Sequence, residues 1–226
     1  MKNSIIAIIM ALVLFLCGSV TVVCAETTDD AGSEIDYMIL VNQQNPIPED
    51  WAEKIEPELE TVHNNIKGDD REFKVEKKTL EAFNALRDDL LSEGIDIELN
   101  MAYVTIAEQE EMIKGVNPDE ITLVSLEAPG ESEHHTGLAI DICLVIDGKV
   151  IDDENDLLME RDSLYAIHEK LHQYGFILRY PARTEEITGH DFEPWHFRYI
   201  GDLDAAFAIY DDDLTLEEYL GENPAE

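Results

Sequence analysis

The apolar positions of this chain change period several times, and each change predicts an element. Over residues 79–93, Leu80, Phe83, Leu86 and Leu90 recur at spacings of three and four, the period of a helix with one face in a core. Gly94 follows as the expected helix stop. The period then drops to two. Ile95, Ile97, Leu99, Met101 and Tyr103 alternate with Asp96, Glu98, Asn100, Ala102 and Val104, which predicts a half-buried strand. Thr105 with Glu108 has the sequence of a capping box, so a helix is expected over about 106–114. Residues 138–146 are apolar enough for a buried strand, Asp147-Gly148 is a hairpin turn, and Lys149–Ile151 returns antiparallel. A helix is expected over 163–174, stopped by Gly175. Strands at 176–180 and 196–200 and helical pieces near 202–210 and 215–220 follow. Nearer the start, residues 37–41 predict a short strand and 45–48 a turn-rich loop. Helices and antiparallel strands alternate without long parallel crossovers. The fold class is α+β, a small antiparallel sheet flanked by helices.

The first 25 residues follow a different logic. Lys2 precedes an apolar run over residues 5–16, and Val23-Cys24-Ala25 offers a small-residue cleavage site, the layout of an export signal. The run to Ala25 is nearly long enough to span a bilayer, so an uncleaved N-terminal membrane anchor is the alternative. Residues 26–36 are acidic and small, without an apolar period, and are expected to be a disordered lead. Residues 37–221 then form one domain, with 222–226 as a tail. The chain has 51 acidic against 15 basic residues, a net charge of −36. Such a field repels nucleic acid and anionic membrane surfaces, so no nucleic-acid partner is expected. A monomer is expected. Cys17 and Cys24 leave with the signal, and Cys143 alone cannot form an internal disulfide. In its apolar run, Cys143 reads as buried filler.

Chemistry concentrates in two stretches. The first is Ser132-Glu133-His134-His135-Thr136-Gly137-Leu138-Ala139-Ile140-Asp141. Gly137 permits a tight turn, which lets His134 fold back beside Asp141. An acid in the middle of an apolar strand is costly unless it is paired or bound to a cation. The second stretch is Glu193-Pro194-Trp195-His196. Two imidazoles, a carboxylate and a spare glutamate make the inventory of a catalytic zinc site with one open position. There, zinc would lower the pKa of a water to about 7, and Glu193 would take its proton. The bland reading has Asp141 capping the turn, Glu193 exposed and the histidines as polar filler. It suits any one residue, but not the joint occurrence. His135 is expected in the loop or behind the ligands rather than on the metal. A competing motif, His168-Glu169-Lys170-Leu171-His172, matches the zincin H-E-x-x-H. Leu178 stands where the third histidine of the extended motif belongs, and Leu164, Ile167, Leu171 and Tyr174 already form that helix's apolar stripe. The metal is therefore expected at the first site.

These residues resemble the zinc D-alanyl-D-alanine carboxypeptidases of the vancomycin-resistance type, within the Hedgehog/DD-peptidase fold. The family's S-x-H-x-x-G-x-A-x-D is present as Ser132, His134, Gly137, Ala139 and Asp141, and its E-x-W-H as Glu193, Trp195 and His196. The approach over 175–189 and the loop of Asn42, Asn45 and Pro46 are also similar, so the likeness covers about residues 38–220. The resemblance implies one Zn²⁺ held by His134, Asp141 and His196, Glu193 as catalytic base, and Ser132, Tyr103 and Trp195 at the substrate. The substrate it implies is a peptidoglycan stem peptide or precursor ending in D-Ala-D-Ala, hydrolysed to release D-Ala. An exported location, extracellular or at the cell wall, suits that substrate. One departure stands out. Val104 occupies the place of an arginine that, in the family, stabilises the tetrahedral oxyanion, and loss of one such donor costs on the order of 10²–10³ in turnover. Three outcomes follow: a slow enzyme, substitution by Arg179 or Arg198, or a wall-peptide-binding module that no longer cleaves. The retained Glu193 favours activity.

Overall fold

A computed structural model of the chain describes residues 35–115 and 127–222. The expected export signal, most of the acidic lead and all of the tail but Glu222 lie outside the described residues. Among the described residues no helix is long and apolar enough to cross a membrane.

The described chain begins by correcting two expectations. Ile35 is buried with Trp51, Ile55 and Leu138, so the end of the acidic lead belongs to the folded domain. Residues 37–41 form no strand. Tyr37 and Ile39 face one apolar cluster while Met38 and Leu40 face another. The carbonyls of Tyr37 and Ile39 accept from Arg198 Nη2, at 3.1 and 2.6 Å, rather than from a neighbouring strand.

Helix α1 (Trp51–Ile55) leads into a hairpin of β1 (Leu59–His63) and β2 (Glu72–Glu76). The apolar pattern does not announce this pair, because β1 buries none of its residues fully. β2 runs directly into α2 (Lys77–Ser92), with the Glu76 carboxylate capping it by accepting from the Thr79 amide at 2.8 Å. α2 buries Leu80, Phe83, Leu86 and Leu90 on the expected stripe. In β3 (Ile97–Met101) the expected alternation fails at Glu98, which is buried and pairs with Arg87 at 3.2 Å. The strand is covered on both faces. The capping box before α3 (Ile106–Gly115) forms reciprocally: Thr105 N donates to Glu108 Oε2 at 2.8 Å and Glu108 N to Thr105 Oγ1 at 3.1 Å.

β4 (Ala139–Ile146) and β5 (Lys149–Ile151) meet at Asp147-Gly148, whose φ values of 52° and 74° are the left-handed pair a type I′ hairpin requires. Then come α4 (Glu154–Leu157), α5 (Arg161–Leu171), β6 (Phe176–Leu178), α6 (Glu185–Thr188), β7 (His196–Tyr199), α7 (Leu203–Asp211) and α8 (Leu216–Leu220). The main sheet has the order β3-β4-β7-β6, with β5 on the far end of β4, and every pairing is antiparallel. Phe83 and Leu86 of α2 and Ile167 of α5 share one core cluster with Ile140, Ile142 and Phe197 of the sheet. The architecture is the α+β class expected.

Candidate metal centre and active site

Strand pairing brings the two motif stretches together. In the β4–β7 register Asp141 lies opposite His196, so a ligand of each stretch occupies adjacent positions on neighbouring strands. His134 arrives from a 3₁₀ turn over Glu133–Thr136, capped by Ser132, whose Oγ accepts from the His134 amide at 3.4 Å. Gly137 closes that turn at φ +73°. A Cβ there would meet Ile55 Cγ1 at 3.0 Å and Leu59 Cδ2 at 3.1 Å, so both backbone sign and space call for glycine. The turn is pinned from outside: Trp51 Nε1 donates to the Thr136 carbonyl at 3.1 Å, and Val104 N to the His134 carbonyl at 3.2 Å. The second stretch is pinned as well. Glu193 N donates to Tyr180 O at 3.1 Å, and Ile142 N to Trp195 O at 3.1 Å.

One donor atom each from His134, Asp141 and His196 lie within 4.8 Å of one another. His134 Nε2 is 3.4 Å from Asp141 Oδ2, and His196 Nδ1 is 2.9 Å from Asp141 Oδ1. Yet Asp141 Oδ1, though buried, makes no hydrogen bond. Its close approach to His196 lacks the direction of an N–H···O bond, and the two atoms converge on a shared point instead. Tetrahedral zinc with bonds of roughly 2.0–2.1 Å sets its ligands about 3.3 Å apart. The donor set and its spacing therefore fit zinc. Glu193 Oε2 stands 3.8 Å from His196 Nδ1, beside the three but outside them.

The charges support a cation. Burial alone would lower the His196 imidazole, but the negative carboxylates of Asp141 and Glu133 that face its two nitrogens outweigh it and hold it up to about 10. A metal would replace the proton that this field retains. Burial alone would raise Asp141, but His134 and His196 hold it well below the usual carboxylate range. Burial pushes Glu193 up to about 8, against the pull of His196. A dication beside it favours the ionised form that a base needs.

Behind the ligands lies a sealed ionic cluster that sequence reasoning missed. Arg179 Nε and Arg198 Nη1 both donate to Glu133 Oε1 at 2.8 Å, and the other edge of Arg179 makes a bidentate pair with Glu217 of α8, at 2.6 and 2.9 Å. All four side chains are completely buried. Burial would raise Glu133, but the two guanidinium groups hold it far below the ordinary range. The signal was available. Arg179 and Arg198 interrupt apolar strands as Asp141 does, and a charge so placed needs a partner.

The triad opens into a cavity of about 240 Å³, whose wall includes Glu193, Ser132 and Trp195. Asn100, Met101, Gln109 and Leu157 complete it with the acids Glu127, Asp152 and Glu154, and no Lys or Arg among the described residues lines it. Tyr103 is not brought to this cavity. It packs with Trp51, Ile55 and Leu138, and with Val104 it lines a separate cleft. Arg179 and Arg198 are locked onto Glu133 and reach neither space, so they do not replace the arginine absent at Val104. His135 is satisfied within the loop: Nδ1 meets the Val104 carbonyl at 2.7 Å and Nε2 accepts from Gly130 N at 3.1 Å. In the zincin-like pair, His168 Nε2 meets the Pro194 carbonyl at 2.8 Å, and His172 stacks on Tyr210 at 4.3 Å.

Comparison with known proteins agrees with this geometry. The family described as VanY: D-alanyl-D-alanine carboxypeptidase matches residues 72–202. A D-alanyl-D-alanine carboxypeptidase of Enterococcus faecalis (strain ATCC 700802 / V583) is 34% identical over 208 residues, covering 86% of this chain and 69% of that protein. Among solved structures, a Zn(II) complex of a vancomycin-resistance D,D-pentapeptidase VanY variant superposes with a TM-score of 0.63 at 29% identity, over 83% of this chain and 99% of that one. VanYB in complex with D-alanine-D-alanine gives 0.62 at 31% identity, over 82% and 97%.

Proposed function

Because the chain belongs to the VanY family of D-alanyl-D-alanine carboxypeptidases, we propose that it is a zinc metallopeptidase that removes the terminal D-Ala from peptidoglycan stem peptides or precursors ending in D-Ala-D-Ala. The observation that carries the reading is the convergence of His134, Asp141 and His196, with Glu193 beside them, on the wall of one open cavity.

Zinc bound there would polarise the scissile carbonyl and acidify a water. The chain's own residues supply the rest. Glu193 accepts the water's proton and passes it to the leaving D-Ala amine, which is the work of one carboxylate acting first as base and then as acid. Trp195 and Leu157 give the cavity apolar wall, and Ser132 offers it a hydroxyl. A wall-peptide-binding module without turnover, the alternative suggested by Val104, is not favoured. The matched relatives are named as carboxypeptidases, and Glu193 serves hydrolysis rather than binding.

We place the reaction outside the cytoplasmic membrane, whether the protein is released or held by residues 1–25. The support is the Lys2 and apolar-run layout of that segment together with the substrate. A monomer is the proposed state, supported by a net charge of −36 that sets copies against each other. Incubating the protein with zinc and a peptide ending in Lys-D-Ala-D-Ala should release D-Ala, and a chelator should stop it. Release no greater than that of Glu193→Ala would overturn the enzyme reading.

A further inference from the structure

The two nitrogens of His196 look in opposite directions. Nδ1 faces Asp141, while Nε2 faces Glu133 Oε2 at 3.6 Å, just beyond hydrogen-bond length. The oxygens of Glu133 are used unequally. Oε1 accepts from both Arg179 and Arg198 at 2.8 Å, whereas Oε2 has no hydrogen-bond partner, and neither has His196 Nε2. Both side chains are shut away from solvent. A buried carboxylate oxygen and a buried ring nitrogen, both unpartnered and facing each other, are the two halves of one hydrogen bond.

We infer that Glu133 is the positioning residue of the metal centre: it accepts the Nε2 proton of His196 and so presents the Nδ1 lone pair to zinc. The inference rests on the zinc reading above. Arg179 and Arg198 serve it in two ways. They hold Glu133 as a carboxylate, and by taking Oε1 together they leave only Oε2 for the ring. Partners of this kind fix a histidine's tautomer and strengthen it as a ligand. Glu217 belongs to the same cluster but touches Arg179 and Asn42, not the histidine, so it clamps the fold without orienting the ligand.

The contrast between Glu133 and Glu217 supplies the test. Glu133→Gln keeps an acceptor for the arginines but can turn an NH₂ donor toward Nε2, which would move the ring's proton to Nδ1, the metal-facing atom. Chelator competition should then show zinc affinity 10–100-fold weaker, with part of the loss recovered in Glu133→Asp. Glu217→Gln should lower the melting temperature yet leave zinc affinity unchanged. In the wild-type zinc form, long-range ¹H–¹⁵N NMR should find His196 protonated at Nε2. Wild-type zinc affinity in a folded Glu133→Gln, or a proton on Nδ1 in the wild type, overturns the inference alone. Should Glu133→Gln not fold, the wild-type tautomer decides. If His196→Ala binds zinc as tightly as the wild type, the metal reading falls and this inference with it.

Discussion

Two pairs of histidines in this molecule invite comparison. His168 and His172 carry the better-known zinc motif, four residues apart, on α5 and at the start of the 3₁₀ turn that continues it. His134 and His196 lie far apart in sequence, in a turn and on a strand. In the first pair, His168 is spent on the Pro194 carbonyl and His172 lies against Tyr210. In the second, the rings meet at 4.9 Å and their nitrogens converge with a carboxylate in a way hydrogen bonding does not satisfy. Spacing along a helix makes a pair of donors adjacent. A metal site also needs further donors converging on the same point. Among the described residues such a group of three forms around His134 and His196, not around His172, although its Nδ1 is unpartnered.

The comparison breaks most visibly on metal content. Ala at His134, Asp141 or His196 is expected to take zinc from one per chain to none, with activity lost. The double variant His168→Ala/His172→Ala should retain one zinc by elemental analysis. The reverse pattern would move the site to α5. Next in size is the base. Glu193→Gln should keep its zinc while kcat falls on the order of 10²–10⁴.

Withdrawing zinc should lower stability, by about 4 kcal/mol where free zinc had been a thousandfold above its dissociation constant. Calorimetry with and without chelator measures this. The zinc-free protein should also be sensitive to alkali. His196 is held up to about 10 against an ordinary 6.5, and Glu193 up to about 8 against 4.5. Groups raised in this way stabilise the fold below their ordinary values and lose that contribution as pH climbs through the raised ones. Asp141 and Glu133, held low, act in the opposite sense but only in strong acid. The melting temperature of the zinc-free form should therefore fall between about pH 5 and pH 10, and a flat profile would show that the site's charges do not govern it. The smallest effect belongs to the first histidine pair. His168→Ala should cost about 1–3 kcal/mol by leaving the Pro194 carbonyl unpartnered, with zinc stoichiometry unchanged.

Where local pattern decides the outcome, the sequence was legible. The stripe of α2, the Thr105/Glu108 box and the Asp147-Gly148 turn each declare themselves within a few residues, and each forms. The motif residues His134, Asp141, Glu193 and His196 stood out because their chemistry is expensive in an apolar setting, and the structure brings them together. What the pattern hid depends on distant partners. β1 carries little apolar signal because it is largely exposed in its hairpin. Residues 37–41 look like a strand but answer to Arg198, far along the chain. Glu98 breaks its alternation because Arg87 neutralises it. Glu133 has no local meaning at all until β4, β6 and β7 align and carry Arg179 and Arg198 to it.

The order of the main sheet has a consequence for how the protein comes into being. Among the described residues β7 is synthesised after every other strand of its sheet, yet it is inserted between β4 and β6 rather than added at an edge. Until it arrives, β4 and β6 have no common neighbour, and Asp141 has no His196 opposite. A chain halted before residue 196 would therefore show bare strand edges, the feature that invites association with other chains. The step that closes the sheet is also the step that completes the metal site. Zinc can thus reward only a polypeptide that has extended past residue 196, and its capture would report that the sheet has closed.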